Sequence, residues 1–195
     1  MRPHILPISP DDPAAADPKL DDLIEFVGYR PNALLTMARK PGLLDAVLQL
    51  VQVVLRGQGV LDLPMRFLLA CEASRKAQCP YTAAHVVHAG HHVGLSWSKL
   101  DALDQYPLSP EFTDRERAAL EVASAGGMLP VTGADKALSK AKEYFNEAEC
   151  LEIVAVVALF GWFHRWNSLL GTALEEVPAE ALHQVRWLNQ IRREF

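Results

Sequence analysis

From residue 19 onward the apolar positions recur at three- and four-residue spacing, the mark of helices that bury one face. No β-branched run alternates as a strand would. The pattern predicts helices over about 19–26, 32–40, 42–57, 63–78, 80–92, 96–103, 113–126, 134–144, 147–170 and 178–192. Several starts have a local cause. Asp62 can cap the helix that opens at Leu63-Pro64, because proline fits a first turn. Thr113-Asp114-Arg115-Glu116 has the spacing of a capping box, and Asn146-Glu147-Ala148-Glu149 has it with Asn in place of Ser or Thr. Loops are expected at 58–61, 105–112 and 126–133, the last because Gly126-Gly127 and Pro130 break a helix. Residues 1–18 carry Pro3, Pro7, Pro10, Pro13 and Pro18 with almost no periodicity, so they read as an extended arm lying on this domain or on a neighbour. No internal repeat or low-complexity segment stands out.

Composition narrows the class. The 195 residues suit one domain, half of them are hydrophobic, and the predicted architecture is an all-α bundle with a sizeable core. A net charge of −5, from 24 acidic and 19 basic residues, argues against nucleic acid and anionic membrane as partners, since both require clustered Lys and Arg. The start from Met1 to Pro7 leads into no apolar stretch of signal-peptide length, so a cytoplasmic protein is expected. The most apolar run, Ile153 to Phe163, is about half the length of a membrane span and reads as a core or interface helix. Cys71, Cys79 and Cys150 are too few and odd in number for a disulfide framework, so any redox role would be catalytic.

Candidate chemistry concentrates between Arg66 and His85. Pro80 is best accommodated as the first residue of a helix, which makes Cys79 the N-cap and sets its sulfur beside unpaired amides and the positive end of the helix dipole. Such a position favours the nucleophilic thiolate; a small buried hydrophobe is the other reading of the same cysteine. His85 is three residues after Thr82 and so neighbours that hydroxyl, whereas Cys79 is about 9 Å of helical rise away. Thr82 stands where a second thiol would complete a Cys-x-x-Cys pair, and a hydroxyl can form no disulfide.

The stretch from Ser74-Arg75 through Cys79-Pro80-Tyr81 to His85 resembles the core of the carboxymuconolactone decarboxylase and alkylhydroperoxidase D-like superfamily. Phe112 to Leu120, Phe145 to Glu149 and Phe163 to Gly171 look like the later helices of its peroxidase-related branch, and the likeness covers about residues 30–175. The resemblance implies a single-domain, multi-helix bundle over 19–195 that forms homo-oligomers through its helices. In redox members it also implies thiol-dependent reduction of hydroperoxides by a thiol reductant, with no cofactor and no metal. Cys79 then matches the first, outer cysteine; Thr82 occupies the place of the attacking thiol; and His85 falls at or one residue short of the histidine. The glutamate that redox members carry about a dozen residues before the first cysteine is replaced by Phe67, and the nearby Glu72 does not match by position. The reading that follows is a peroxidase-type enzyme with Cys79, His85 and Thr82 as site residues, weakened by the missing second cysteine. The alternatives are a non-redox helical oligomer binding a small ligand, and a lyase or decarboxylase using acid–base chemistry at His85 or His88.

Other clusters carry plainer readings. His85, His88 and His92 share a helix face with His91 alongside, a possible metal site, though local hydrogen bonding is the default. Glu72 with Arg75 and Lys76 has the spacing of a solvated salt-bridge face. Cys71 is too far along a continuous helix to pair with Cys79, and the apolar run after Cys150 favours its burial. Arg165 could meet a carboxylate but more simply ties carbonyls, and Trp162, Phe163 and Trp166 read as core or oligomer contacts.

Overall fold

The computed structural model describes residues 3–193, with side chains through Ile191, so the two ends of the predicted arm and domain (1–2 and 194–195) lie outside it. Among the described residues the chain is all helix, turn and loop. The helices are α1 (Pro18–Val27), α2 (Asn32–Met37), α3 (Leu43–Val51), α4 (Leu63–Lys76), α5 (Pro80–His92), α6 (Trp97–Asp101), α7 (Asp114–Gly127), α8 (Ala134–Ala141) and α9 (Glu147–Leu170), followed by short α10 (Glu176–Ala179), α11 (Ala181–Gln184) and α12 (Arg186–Arg193).

Helix α4 is the centre of the bundle. It is buried from Met65 to Ser74 and packs on α5, α7 and α9, which is why its sequence shows almost no polar face. The caps form as their residues dictate. Asp62 accepts from the Met65 amide at 2.8 Å, and both capping boxes close, Thr113 with Glu116 and Asn146 with Glu149. The arm lies on its own domain, with the His4 amide donating to Leu170 O at 2.8 Å and Arg39 Nε to Leu6 O at 2.7 Å.

Four local expectations are corrected. The helix expected over 42–57 ends in one π turn, Gln52–Arg56, where the Gly57 amide reaches back to Gln52 O; a Cβ at Gly57 would lie 2.6 Å from that oxygen, so glycine permits the closure. Helix α7 runs to Gly127, one residue beyond its expected end at 126, because a bare Gly127 lets it approach α4, where a Cβ would sit 2.7 Å from Ala73 O. The single helix expected over 178–192 is broken, as buried Val185 turns extended and Asp101 accepts from the Arg186 amide and guanidinium. Glu72 is not solvated: it is fully buried against α7, held by Arg75 through two bonds of 2.8 and 2.9 Å. Burial raises its carboxyl above the ordinary range, with Arg75 opposing the shift.

Helix α9 extends well beyond its apolar run, far enough that length and composition alone would let it span a membrane. Its inner side, Ile153, Val156, Val157 and Phe160, is nonetheless core, packed on α4 and α7. Ser74 Oγ and His164 Nε2, 2.9 Å apart and buried, tie α4 to α9. Burial, with a lesser push from Arg165, lowers the His164 pKa to about 4. An imidazole with a depressed folded pKa stabilises the fold above its unfolded value and loses that contribution as pH falls toward 4. Between pH 6.5 and 4 the parent should therefore lose about 3 kcal/mol that His164→Gln does not lose, measured as urea-unfolding free energies at the two pH values.

Candidate active site

Two polar clusters meet near the start of α5. The first is the thiol cluster. Helix α4 ends at Ala77, Gln78 takes a left-handed conformation (φ 50°), and Cys79 caps α5 with Pro80 in its first turn, as the proline required. The Cys79 Sγ lies 3.1 Å from Thr82 Oγ1 and 3.9 Å from His164 O, and is almost fully buried. From the last turn of α9, Asn167 Nδ2 donates to Thr82 Oγ1 at 3.1 Å. With that lone pair occupied, the Thr82 hydroxyl can still turn its proton to the sulfur, so Asn167, Thr82 and Cys79 form a chain that ends on the sulfur at a helix start.

The second cluster surrounds Glu175, in the segment that crosses back over α5 after α9. Its carboxylate accepts from the Asn32 amide, from Tyr81 OH at 2.9 Å and from His85 Nε2 at 2.7 Å. Burial acts to raise the Glu175 carboxyl, but the bonds from His85 and Asn32 outweigh it and hold the group below the ordinary carboxylate range. An ionised Glu175 takes the His85 proton on Nε2, which leaves Nδ1 to accept from Tyr29 OH at 2.8 Å. The imidazole is stacked on Tyr81 at 4.1 Å. Burial first, and then the charge of Glu175, push both Tyr29 and Tyr81 well above an ordinary phenol.

These clusters border two hollows. An apolar cavity of about 110 Å³ is walled by Phe26, Phe67, Phe160 and Phe163 and reached by Tyr29, Thr82, His85 and Asn167. That is the order of size at which engineered apolar cavities of about 150 Å³ admit benzene. A recess of about 330 Å³ lies on the other side of Thr82, lined by Cys79, Pro80, Tyr81, Asn167, Thr172 and Leu174 among others. The expected trio is thus split. Thr82 touches Cys79 and lines the cavity, whereas both ring nitrogens of His85 are committed elsewhere and Cys79 faces the recess.

Sequence reasoning missed Tyr29, Tyr81, Asn167 and Glu175. The carboxylate for His85 comes from ninety residues downstream, not from the Phe67 or Glu72 region, and no local spacing announces it. The other histidines disperse. His88 is half-buried beside Tyr29, His91 Nδ1 pairs with Leu95 O while its ring stacks on Trp97, and His92 meets the edge of Phe26. Among the described residues no three His, Cys, Asp or Glu are grouped to hold a metal ion. Cys71 and Cys150 are buried, and Arg165 bonds Gly161 O on its own helix.

No family model matches the chain. The uncharacterized protein YnjA of Escherichia coli K12 is 27% identical over 131 residues, spanning 67% of this chain and 69% of that protein. The debrominase Bmp8, solved as a cysteine-to-alanine variant in complex with 2,3,4-tribromopyrrole, matches with a TM-score of 0.87 and 24% identity over 94% of this chain and 98% of its own. An uncharacterized peroxidase-related protein from Ralstonia eutropha JMP134, described as an alkylhydroperoxidase AhpD core, matches with a TM-score of 0.76 and 19% identity over 91% and 96%. The chain has the alkylhydroperoxidase D-like fold.

Removing the hub carboxylate strands Tyr81 OH and the Asn32 amide without their acceptor. Glu175→Ala should lower unfolding free energy by about 2–3 kcal/mol and speed amide exchange in residues 171–175 before the rest of the domain. Uniform exchange with unchanged stability would show that Glu175 anchors nothing.

Proposed function

We propose that this protein is an enzyme that reduces small organic hydroperoxides at Cys79, with an external thiol as reductant. The observation that carries this reading is the donor chain from Asn167 through Thr82 to the Cys79 sulfur at a helix start. In the reaction the thiolate attacks the terminal oxygen of ROOH. The O–O bond breaks, the cysteine becomes a sulfenic acid, and the alkoxide takes a proton to leave as ROH. With Thr82 in place of a second cysteine, one external thiol condenses with the sulfenic acid to a mixed disulfide and water, and a second releases the cysteine. His85 acts as a positioning residue, holding through Glu175 the segment that walls the recess. The three free cysteines suit a reducing compartment such as the cytoplasm. The peroxidase-related neighbour agrees in name with this reading.

Cys79→Ser should reduce consumption of cumene hydroperoxide with dithiothreitol to the uncatalysed rate, while His85→Ala keeps part of it. No consumption by the parent, or full consumption by Cys79→Ser, overturns the proposal.

A second reading rests on Tyr29 and His85 reaching the aromatic cavity while Cys79 does not line it. Here a compact ring molecule, of the size of the debrominase's bound pyrrole, undergoes proton transfer by Tyr29 backed by His85 and Glu175. Turnover of a small lactone that vanishes in Tyr29→Phe and His85→Ala and survives in Cys79→Ser would select it.

Self-assembly through α9 is also proposed. The outer side of α9 presents Leu151, Val154, Ala158, Trp162 and Leu169 to solvent, an apolar stripe too long for an ordinary exposed helix. Light scattering should find an oligomer that Trp162→Glu dissociates; a monomeric parent refutes this.

A further inference from the structure

Of the groups that line the aromatic cavity, one is an arginine, Arg56, and none is a carboxylate. Among the described residues Arg56 is also the one shared by the cavity and both of the exposed hollows beside it, the first of which takes in Leu23 and Val51 and the second Phe26. The guanidinium therefore stands where the cavity meets solvent. Its carbon lies 4.8 Å from the centre of the Phe26 ring, a cation–π contact that holds it against the cavity wall. Arg66, Arg75, Arg115, Arg117 and Arg186 each have a carboxylate at ion-pair distance; Arg56 has none among the described residues. Asp22 and Glu25 of α1 line the second hollow but not the cavity, so they temper the charge on its solvent side and leave the inner side to a ligand.

The π turn is what puts Arg56 on this face. Along an α-helix, a residue five positions after Val51 would be rotated about 140° from it. In the π turn, closed by the Gly57 amide on Gln52 O, residues five apart stack, so Val51, Leu55 and Arg56 all line the cavity. The exit from the turn is fixed by Arg66, buried and paired with Glu152, which donates to Leu55 O at 2.9 Å and to Gly57 O at 2.7 Å. Such turns sacrifice hydrogen-bond geometry and recur at functional sites.

We infer that the aromatic cavity binds a monocyclic carboxylic acid, its carboxylate on Arg56 and its ring among Phe26, Phe67, Phe160 and Phe163. This rests on the second reading above for the cavity as a place of binding, and it makes the ring molecule of that reading an acid. The guanidinium offers two parallel N–H donors that match a carboxylate. The apolar walls supply affinity and the single charge supplies orientation, with the ring turned in toward the wall that Tyr29 and His85 share. A second carboxylate on the ring would lie among phenyl groups without a partner, so diacids are rejected.

Binding can be measured on the full chain near neutral pH without turnover. Benzoate should bind saturably in calorimetry and show intermolecular NOEs to the rings of Phe26 and Phe67. Benzamide, its neutral isostere, should bind about 3–10-fold more weakly, the worth of one partly solvated charged pair. Arg56→Met should bring benzoate down to the level of benzamide and leave benzamide unchanged, and Arg56→Lys should restore part of the preference. No saturable benzoate binding, NOEs to other parts of the chain, equal affinity of the parent for the two compounds, or a preference that survives Arg56→Met overturns the inference. Arg56-dependent binding in a protein that turns over no small ring compound upholds the site and refutes the proton-transfer reading alone. Turnover of a neutral ring compound with no preference for acids does the reverse.

Discussion

The arrangement around Cys79 depends on one half-buried carboxylate. Glu175 draws to itself an amide at the start of α2, a phenol and an imidazole from α5, and so pins the chain that leaves α9 across the face of α5. The segment 171–175 is otherwise held by the Gly171 and Thr172 amides on Asn167 O and by the Asn32 side chain on Ala173 O. That segment makes one wall of the recess, and the turn at Gly171 orients Asn167 and Thr172 within it. The charge is sustained because every surrounding contact is a donor; a buried carboxylate with fewer would take up a proton instead.

The same carboxylate separates two kinds of chemistry. By occupying both nitrogens of His85, directly at Nε2 and through the tautomer it selects at Nδ1, it directs the imidazole toward Tyr29 and away from the sulfur. The thiol is served instead by hydroxyl and amide groups, Thr82 and Asn167, which orient protons but do not exchange them near neutral pH. The site is divided into a recess with a thiol and a cavity with a phenol–imidazole–carboxylate relay, and Tyr81 and Asn167 line both.

Legibility differed by range. Cys79 as the N-cap of α5 was readable from Pro80 alone, and the capping boxes from four residues each, because these bonds close within one turn. Glu72 misled because its i,i+3 partner Arg75 was foreseen correctly while the burial of the pair under α7 was not. The break before Arg186 was invisible because its cause, Asp101, lies 85 residues upstream.

Helical periodicity, caps and the absence of strand patterning determined an all-α bundle and the start of α5, since those interactions are made between residues a few positions apart. Tertiary structure alone decided which groups meet the site residues. The hydrogen-bond partners of His85 are 56 and 90 residues away, and Asn167, which donates to Thr82, is 85 away. Contacts at such separations are set by how whole helices pack. A reading of residue types and spacing could name Cys79, Thr82 and His85; only the packing of α9 and its following segment onto α5 could show that the thiol and the imidazole look in different directions.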